Sequence, residues 1–204
     1  MSSPLPVITM TNVSKKYRFR TAIEEINLTF HSGKLYVITG PNGSGKSTIL
    51  KCIMGLLRYE GKIDKLHVSF GYAPEQYILP DHLTVKEFLI HLGRVKSKDS
   101  LILNERLDLY LTAFHMKDAT HQHISSLSNG MKQKVNLIQA FIHQPKVLLL
   151  DEPFRAIDEA SKKELVEIIK ERLRETLIII STHQPQSIKV RQKRTLKITN
   201  GRID

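Results

Sequence analysis

The chain has 204 residues, 41% of them hydrophobic and 25% charged, with no tryptophan, which is the composition of one globular domain. A chain of this size buries roughly 70% of its unfolded surface, so it can hold a full core. One cysteine, Cys52, excludes an internal disulfide framework and points to a reducing compartment, and the longest apolar runs, VLLL and LIII, are far too short to span a bilayer. The net charge of +11 gathers late, in KKELVEIIKERLRE and IKVRQKRTLKI. It suits a nucleic-acid surface, an anionic membrane face, or a solvated helix face followed by an edge strand guarded by charge. The last reading is favoured, because no aromatic residues interleave with the cations as stacking platforms. The opening MSSPLPVITM lacks the basic and then apolar segments of a signal peptide, so a soluble chain is expected.

Short strands come first, at VITMTNV, INLTF and LYVIT, with a turn at HSGK. A glycine-rich loop, GPNGSGKST, then separates LYVIT from a helix over TILKCIMGLL, which would bury Cys52 as a core thiol. HVSFGYAP reads as another strand, bounded by proline. From about Thr84 to Phe141 the pattern is helical: Val85, Phe88, Leu89 and Leu92 share one face, and ILNERLDLYLTAF repeats the period. VLLL, a helix over EASKKELVEIIKERL, the strand TLIIIS and a last strand near TLKIT complete the chain. Strands alternating with helices predict an α/β fold around a mainly parallel sheet, with residues 77–135 as a helical insertion.

The loop fits a phosphate-binding pattern, Gly40-x-x-x-x-Gly45-Lys46-Ser47, in the strand-to-helix setting that pattern requires. Gly40, Gly43 and Gly45 let backbone N–H groups turn toward phosphate oxygens, so Gly40, Pro41, Asn42, Gly43, Ser44, Gly45, Lys46, Ser47 and Thr48 are the candidate nucleotide cradle. Lys46 supplies a charge to the outer phosphates, and the Ser47 hydroxyl suits Mg²⁺. In VLLLDEP, a buried strand delivers Asp151 and Glu152 at its carboxyl end, where ligands bind in open α/β sheets. Asp151 suits the Mg²⁺ shell, and Glu152 is placed to deprotonate an attacking water, although Asp-Glu-Pro alone also fits a cap at a helix start. LIIISTHQ brings His183 to another strand end, as a partner for a γ-phosphate or a catalytic water, or as a surface histidine among nine.

SLSNGMKQKV, Ser126 to Val135, opens the next helix and completes the pattern. In the order GPNGSGKST, GYAPEQ, LSNGM, LLLDEP, RAID and STHQ, the chain resembles the ATP-binding cassette (ABC) ATPases from about Val7 to its end. The resemblance implies a P-loop NTPase core with an N-terminal antiparallel β lobe and a helical subdomain. Residues 1–204 then form one ABC domain, with 1–76 and 136–204 as core and lobe and 77–135 as the helical part. It places Tyr17 against adenine, Ser128 and Gly130 against the γ-phosphate of a second protomer, and Asp158 at the dimer interface. The other reading of Tyr17, less favoured, is a strand-edge tyrosine. Glu75 occupies the usual glutamine-loop position with Gln76 one residue late, so both are candidates for water and Mg²⁺ contacts. Asn129 replaces a usual glycine, and asparagine tolerates left-handed backbone. The short stretch before GYAP implies a trimmed antiparallel lobe.

The function implied is ATP binding and Mg²⁺-dependent hydrolysis by the nucleotide-binding subunit of an ABC transporter. No guanine-reading NKxD appears, which favours ATP over GTP. Expected partners are integral membrane transporter subunits, docked beside GYAPEQYILP, and a second ATPase protomer, identical or a paralogue. No nucleic acid is expected, and the location implied is the cytoplasmic face of the membrane. The alternative is a soluble ABC ATPase of a cluster-assembly or other non-transport complex.

Overall fold

The computed structural model describes residues 6–96, 100–190 and 193–204. The signal-peptide reading of residues 1–5, and the part of the basic stretch at Arg191 and Gln192, lie outside the described residues. In chain order the elements are β1 (Pro6–Tyr17), β2 (Arg20–His31), β3 (Leu35–Thr39), α1 (Lys46–Met54), β4 (Glu60–Lys65), β5 (Phe70–Ala73), α2 (Val85–Lys96), α3 (Ser100–Ala113), α4 (Asn129–Phe141), β6 (Val147–Asp151), α5 (Glu159–Arg172), β7 (Leu177–Ser181), β8 (Lys193–Thr199) and β9 (Arg202–Ile203).

β3, β6 and β7 are almost wholly apolar because both faces of their sheet are covered. Leu35, Val37, Leu148, Leu150, Ile178 and Ile180 enter one apolar cluster, with residues of α2, α3, α4 and α5. Their alternating neighbours Tyr36, Ile38, Val147, Leu149, Leu177 and Ile179 enter a second, with α1 and the inner faces of β1 and β2. The two-residue side-chain period of a strand produces that division. The six-stranded sheet has the order β5-β6-β7-β3-β8-β9, parallel except at β8–β9. A separate antiparallel sheet has the order β2-β1-β4. The fold is therefore the expected one: an α/β P-loop core, an antiparallel N-terminal sheet and helices.

Several details differ from the sequence reading. β1 and β2 each run 12 residues, well past VITMTNV and INLTF. β4, EGKIDK, was not expected, because only Ile63 is even half-buried and the strand pairs along one side. The guarded edge strand is real only in part, since β8 pairs with β3 from Lys193 to Lys197 and with β9 at Ile198 and Thr199. Asn129 is the first residue of α4 and has no positive φ, so its backbone does not require left-handed tolerance.

Local caps set the helix starts. Thr84 and Glu87 form a reciprocal box before α2, with Thr84 N donating to Glu87 Oε2 at 2.8 Å and Glu87 N to Thr84 Oγ1 at 3.2 Å. Cys52 is fully buried in α1, and that burial pushes its thiol up to about 11, so it stays protonated in the folded chain.

Candidate functional site

Parallel register is what assembles the site. Ile38 of β3 pairs with Ser181 of β7, and Ser181 pairs with Asp151 of β6. One strand further, Ala73 of β5 is level with Leu150. The carboxyl ends of these strands therefore lie side by side, and the segments that leave them meet in one cleft of about 520 Å³. Tyr17, Arg20, Asn42, Gly43, Gly45, Lys46, Ser47, Thr48, Glu75, Glu152, Arg155 and His183 line it.

The glycine loop is built for close approach. A Cβ on Gly40 would stand 2.2 Å from the Ile198 carbonyl oxygen, and one on Gly45 would stand 2.4 Å from that of Ala22. Both have φ in the left-handed region, 149° and 112°, which glycine alone adopts freely. Lys46 Nζ donates to the carbonyls of Gly40 and Pro41 at 2.9 and 3.1 Å, so its ammonium already lies over the loop. Ser44 Oγ is buried with no hydrogen-bond partner among the described residues. A buried hydroxyl in that position fits an anionic ligand that supplies the missing acceptor.

Ser47 Oγ donates to Asp151 Oδ1 at 3.0 Å, and the buried Ser181 hydroxyl donates to the same oxygen. Burial pushes the Asp151 carboxyl up, the two serine hydrogen bonds pull it back, and the negative charge of Glu75 adds to the rise. A dication beside Asp151 would offset both unfavourable effects. The oxygen donors Ser47 and Asp151 fit a hard cation that takes its remaining ligands from phosphate and water, as Mg²⁺ does. Among the described residues, no group of three or more His, Cys, Asp or Glu could hold a metal ion by itself.

Glu152 is buried and has φ 48°, an uncommon conformation for a side-chain-bearing residue. That backbone turns its carboxylate from the strand end toward His183, whose Nδ1 lies 2.9 Å from Glu152 Oε2. Tyr17 is 48% exposed at the cleft rim, with Lys15 Nζ 5.2 Å from its ring centroid. Of the two glutamine-loop candidates, Glu75 lines both the cleft that holds Lys46 and the adjoining one, while Gln76 lines only the adjoining one, with Tyr77, Asn129 and Gln133.

Ser128 caps α4 by accepting from Met131 N at 3.3 Å, and it is exposed. Gly130 has a reason within its own chain: a Cβ there would stand 2.6 Å from the Ala156 carbonyl oxygen. Asp158 caps α5, accepting from Ser161 N at 2.8 Å, and pairs with Lys134 Nζ at 2.6 Å. Lys134 and the Ser161 N–H hold its carboxyl well below the usual carboxylate range. A depressed folded-state value adds stability that is full above the unfolded pKa of about 4 and fades as pH falls below it. Asp158→Asn, which keeps the cap and removes the charge, is therefore expected to lower unfolding free energy by about 1 kcal/mol or less at pH 7. Urea titrations at several pH values should show the deficit shrinking below pH of about 4. A deficit that grew with acid would assign the stability elsewhere.

Several polar residues here were not singled out in the sequence. Arg20 lines the cleft and donates to the Gly43 carbonyl, and Arg155 pairs with Glu75. On α4, Gln133 Nε2 donates to Pro153 O at 3.5 Å, Asn136 Nδ2 to Pro74 O at 3.0 Å and Gln139 Nε2 to Tyr72 O at 2.6 Å. Their i, i+3, i+6 spacing was the available signal, since polar residues on the buried face of a helix must find partners.

A family profile described as ABC transporter matches residues 23–155. The chain is 32% identical over 211 residues to the sulfate/thiosulfate import ATP-binding protein CysA of Synechocystis sp., covering 97% of this chain and 59% of that protein. It spans about three fifths of the length of such curated relatives. A solved ATP-binding subunit of an ABC transporter superposes with a TM-score of 0.87 at 26% identity, over 97% of this chain and 88% of that one. A dimeric bacterial ABC transporter cassette shares the fold, with a TM-score of 0.86 at 22% identity over 97% and 96%. With the profile covering most of the chain and the ordered strand ends beneath it, the chain belongs to the ABC transporter family.

Proposed function

We propose that this chain is the ATP-binding and ATP-hydrolysing subunit of an ABC transporter, driving separate membrane subunits from the cytoplasmic face of the membrane. The observation that carries the reading is the convergence of Lys46, Ser47, Glu152 and His183 on one cleft, with Asp151 hydrogen-bonded to Ser47 behind them. The loop from Gly40 to Thr48 wraps the phosphates, Lys46 meets their outer charge, and the amino end of α1 adds its dipole. Ser47 and Asp151 would hold Mg²⁺, which when bound shields the phosphate oxygens. Gln76 is a weaker candidate for the same role, because it lines the adjoining cleft. Tyr17 stacks on the adenine at the rim. Glu152, oriented by His183, takes the proton of the attacking water.

Ser128 and Gly130 do not line the cleft that holds Lys46, so their contact with a γ-phosphate needs a second protomer. Two chains closing head to tail would complete each site, with Asp158 near the shared surface. ATP then favours the closed pair and hydrolysis releases it, a ligand-driven shift of population. We divide the single domain into a core with its β lobe, 1–76 and 136–204, and a helical part, 77–135; α4 runs through the second boundary.

Among the described residues no helix is long and apolar enough to cross a membrane, so this reading assigns the spanning segments to partners. Ile78, in the GYAPEQYILP loop, is 100% exposed, whereas Tyr77 is half-buried with its hydroxyl 3.5 Å from the Asn129 carbonyl. Ile78 is therefore the cleaner probe of docking. Expressed beside its native neighbours, the wild-type chain should fractionate with membranes. Ile78→Asp should fall to the soluble fraction with ATP affinity within about twofold and an unchanged melting temperature, because an exposed side chain contributes little to folding. A wild-type chain that stays out of the membrane fraction beside those neighbours overturns the transporter reading.

A further inference from the structure

Arg155 and Glu75 form an ion pair where the cleft meets the adjoining one, and both residues line the cleft beside Lys46, Ser47 and Glu152. They stand 80 positions apart in sequence, on the segments that leave β5 and β6. The Arg155 side chain is 66% exposed and that of Glu75 33%, and a pair this open to water does little for stability. The backbone around Arg155 is held in a particular shape. Arg155 N donates to Glu152 O at 3.1 Å, and the residue sits between Glu152 (φ 48°) and Ala156 (φ 62°), both left-handed. A strained turn that aims a guanidinium into a polar cleft is the kind of feature that persists at ligand sites.

The charges around the cleft give the pair a task. Glu75 and Glu152 both face it and Asp151 lies behind Ser47, so a polyphosphate must enter beside carboxylates. Lys46 is one compensating cation, and Arg20, which also lines the cleft, is engaged by the Gly43 carbonyl. A guanidinium offers a planar fork of donors, so a contact from Nη1 to one carboxylate oxygen leaves donors for phosphate. Resting on the nucleotide reading above, we infer that Arg155 is a second phosphate-binding cation of this site and that Glu75 opposes it. Glu75 competes for the guanidinium and repels the phosphates, which keeps nucleotide affinity below the value that Arg155 alone would give. Binding shifts Arg155 from Glu75 toward the phosphates.

The test is a double-mutant cycle read by calorimetric titration with a non-hydrolysable ATP analogue and Mg²⁺. Arg155→Ala is expected to weaken binding about tenfold, the scale of one charge-assisted hydrogen bond at a partly exposed site. Glu75→Gln is expected to tighten it about threefold. The Arg155→Ala penalty should grow to about twentyfold in the Glu75→Gln background, because the guanidinium then reaches the phosphates without giving up a carboxylate partner. Arg155→Lys should recover part of the loss. Without nucleotide, all variants should melt within about 2 °C of wild type. A purely structural clasp would instead lower melting temperature in both single variants and leave affinity unchanged. If wild type binds, Lys46→Ala does not, and Arg155→Ala stays within twofold or carries an equal penalty in both backgrounds, this inference alone fails. If wild type and Lys46→Ala are alike in not binding, the nucleotide reading fails and takes the pair with it.

Discussion

Replacing Glu152 by glutamine is expected to slow ATP turnover about 10²- to 10⁴-fold while ATP affinity stays within about threefold. The substitution keeps the shape of a side chain that is buried and held at φ 48°, with its N–H donating to Ser181 O at 2.9 Å. What it removes is basicity at the oxygen that faces His183 Nδ1. A glutamine amide can still meet the imidazole, yet it cannot accept the proton of an attacking water. The step that reopens the closed pair is then blocked, so the variant should elute as an ATP-bound dimer in size-exclusion chromatography. A variant that stays monomeric at high concentration with ATP, and turns over at the wild-type rate, would sink the assignment of Glu152 as general base.

Lys46→Ala should cost about a hundredfold or more in ATP affinity, since hydrogen bonds to charged groups contribute about 1.5–3 kcal/mol each and an ammonium can make several. The fold should survive. Lys46 is largely buried, but its ammonium serves two loop carbonyls, those of the half-buried Gly40 and the exposed Pro41, and water can replace it there. Its aliphatic stem is the part the core would miss, at about 1 kcal/mol. Calorimetric titration against ATP, paired with far-ultraviolet circular dichroism, separates the two effects. Affinity within about twofold of wild type would remove the glycine loop from the nucleotide site.

The groups these two variants probe were legible in the chain because each motif is local. GPNGSGKST, VLLLDEP and LIIISTHQ each join an apolar strand to a polar terminus, and the strand dictates where that terminus points. The apolar runs likewise announced buried strands, which the structure covers on both faces, and alternation with helices announced a mainly parallel sheet. β4 carried no such signal: EGKIDK is charged and mostly exposed, and it is a strand only because β1 offers it a partner.

The neighbours of those motifs were a different matter. Strand order β5-β6-β7-β3 departs from chain order, and no periodicity records which strand lies beside which. That order sets Glu75 against Arg155, sets Ser47 and Ser181 on one oxygen of Asp151, and turns Glu75 rather than Gln76 into the cleft. The polar face of α4 and the close approach of Gly130 to Ala156 have the same origin. A residue type states which bonds a side chain can make; only packing of distant segments supplies the partner, because contacts between residues far apart in sequence leave no local periodic trace.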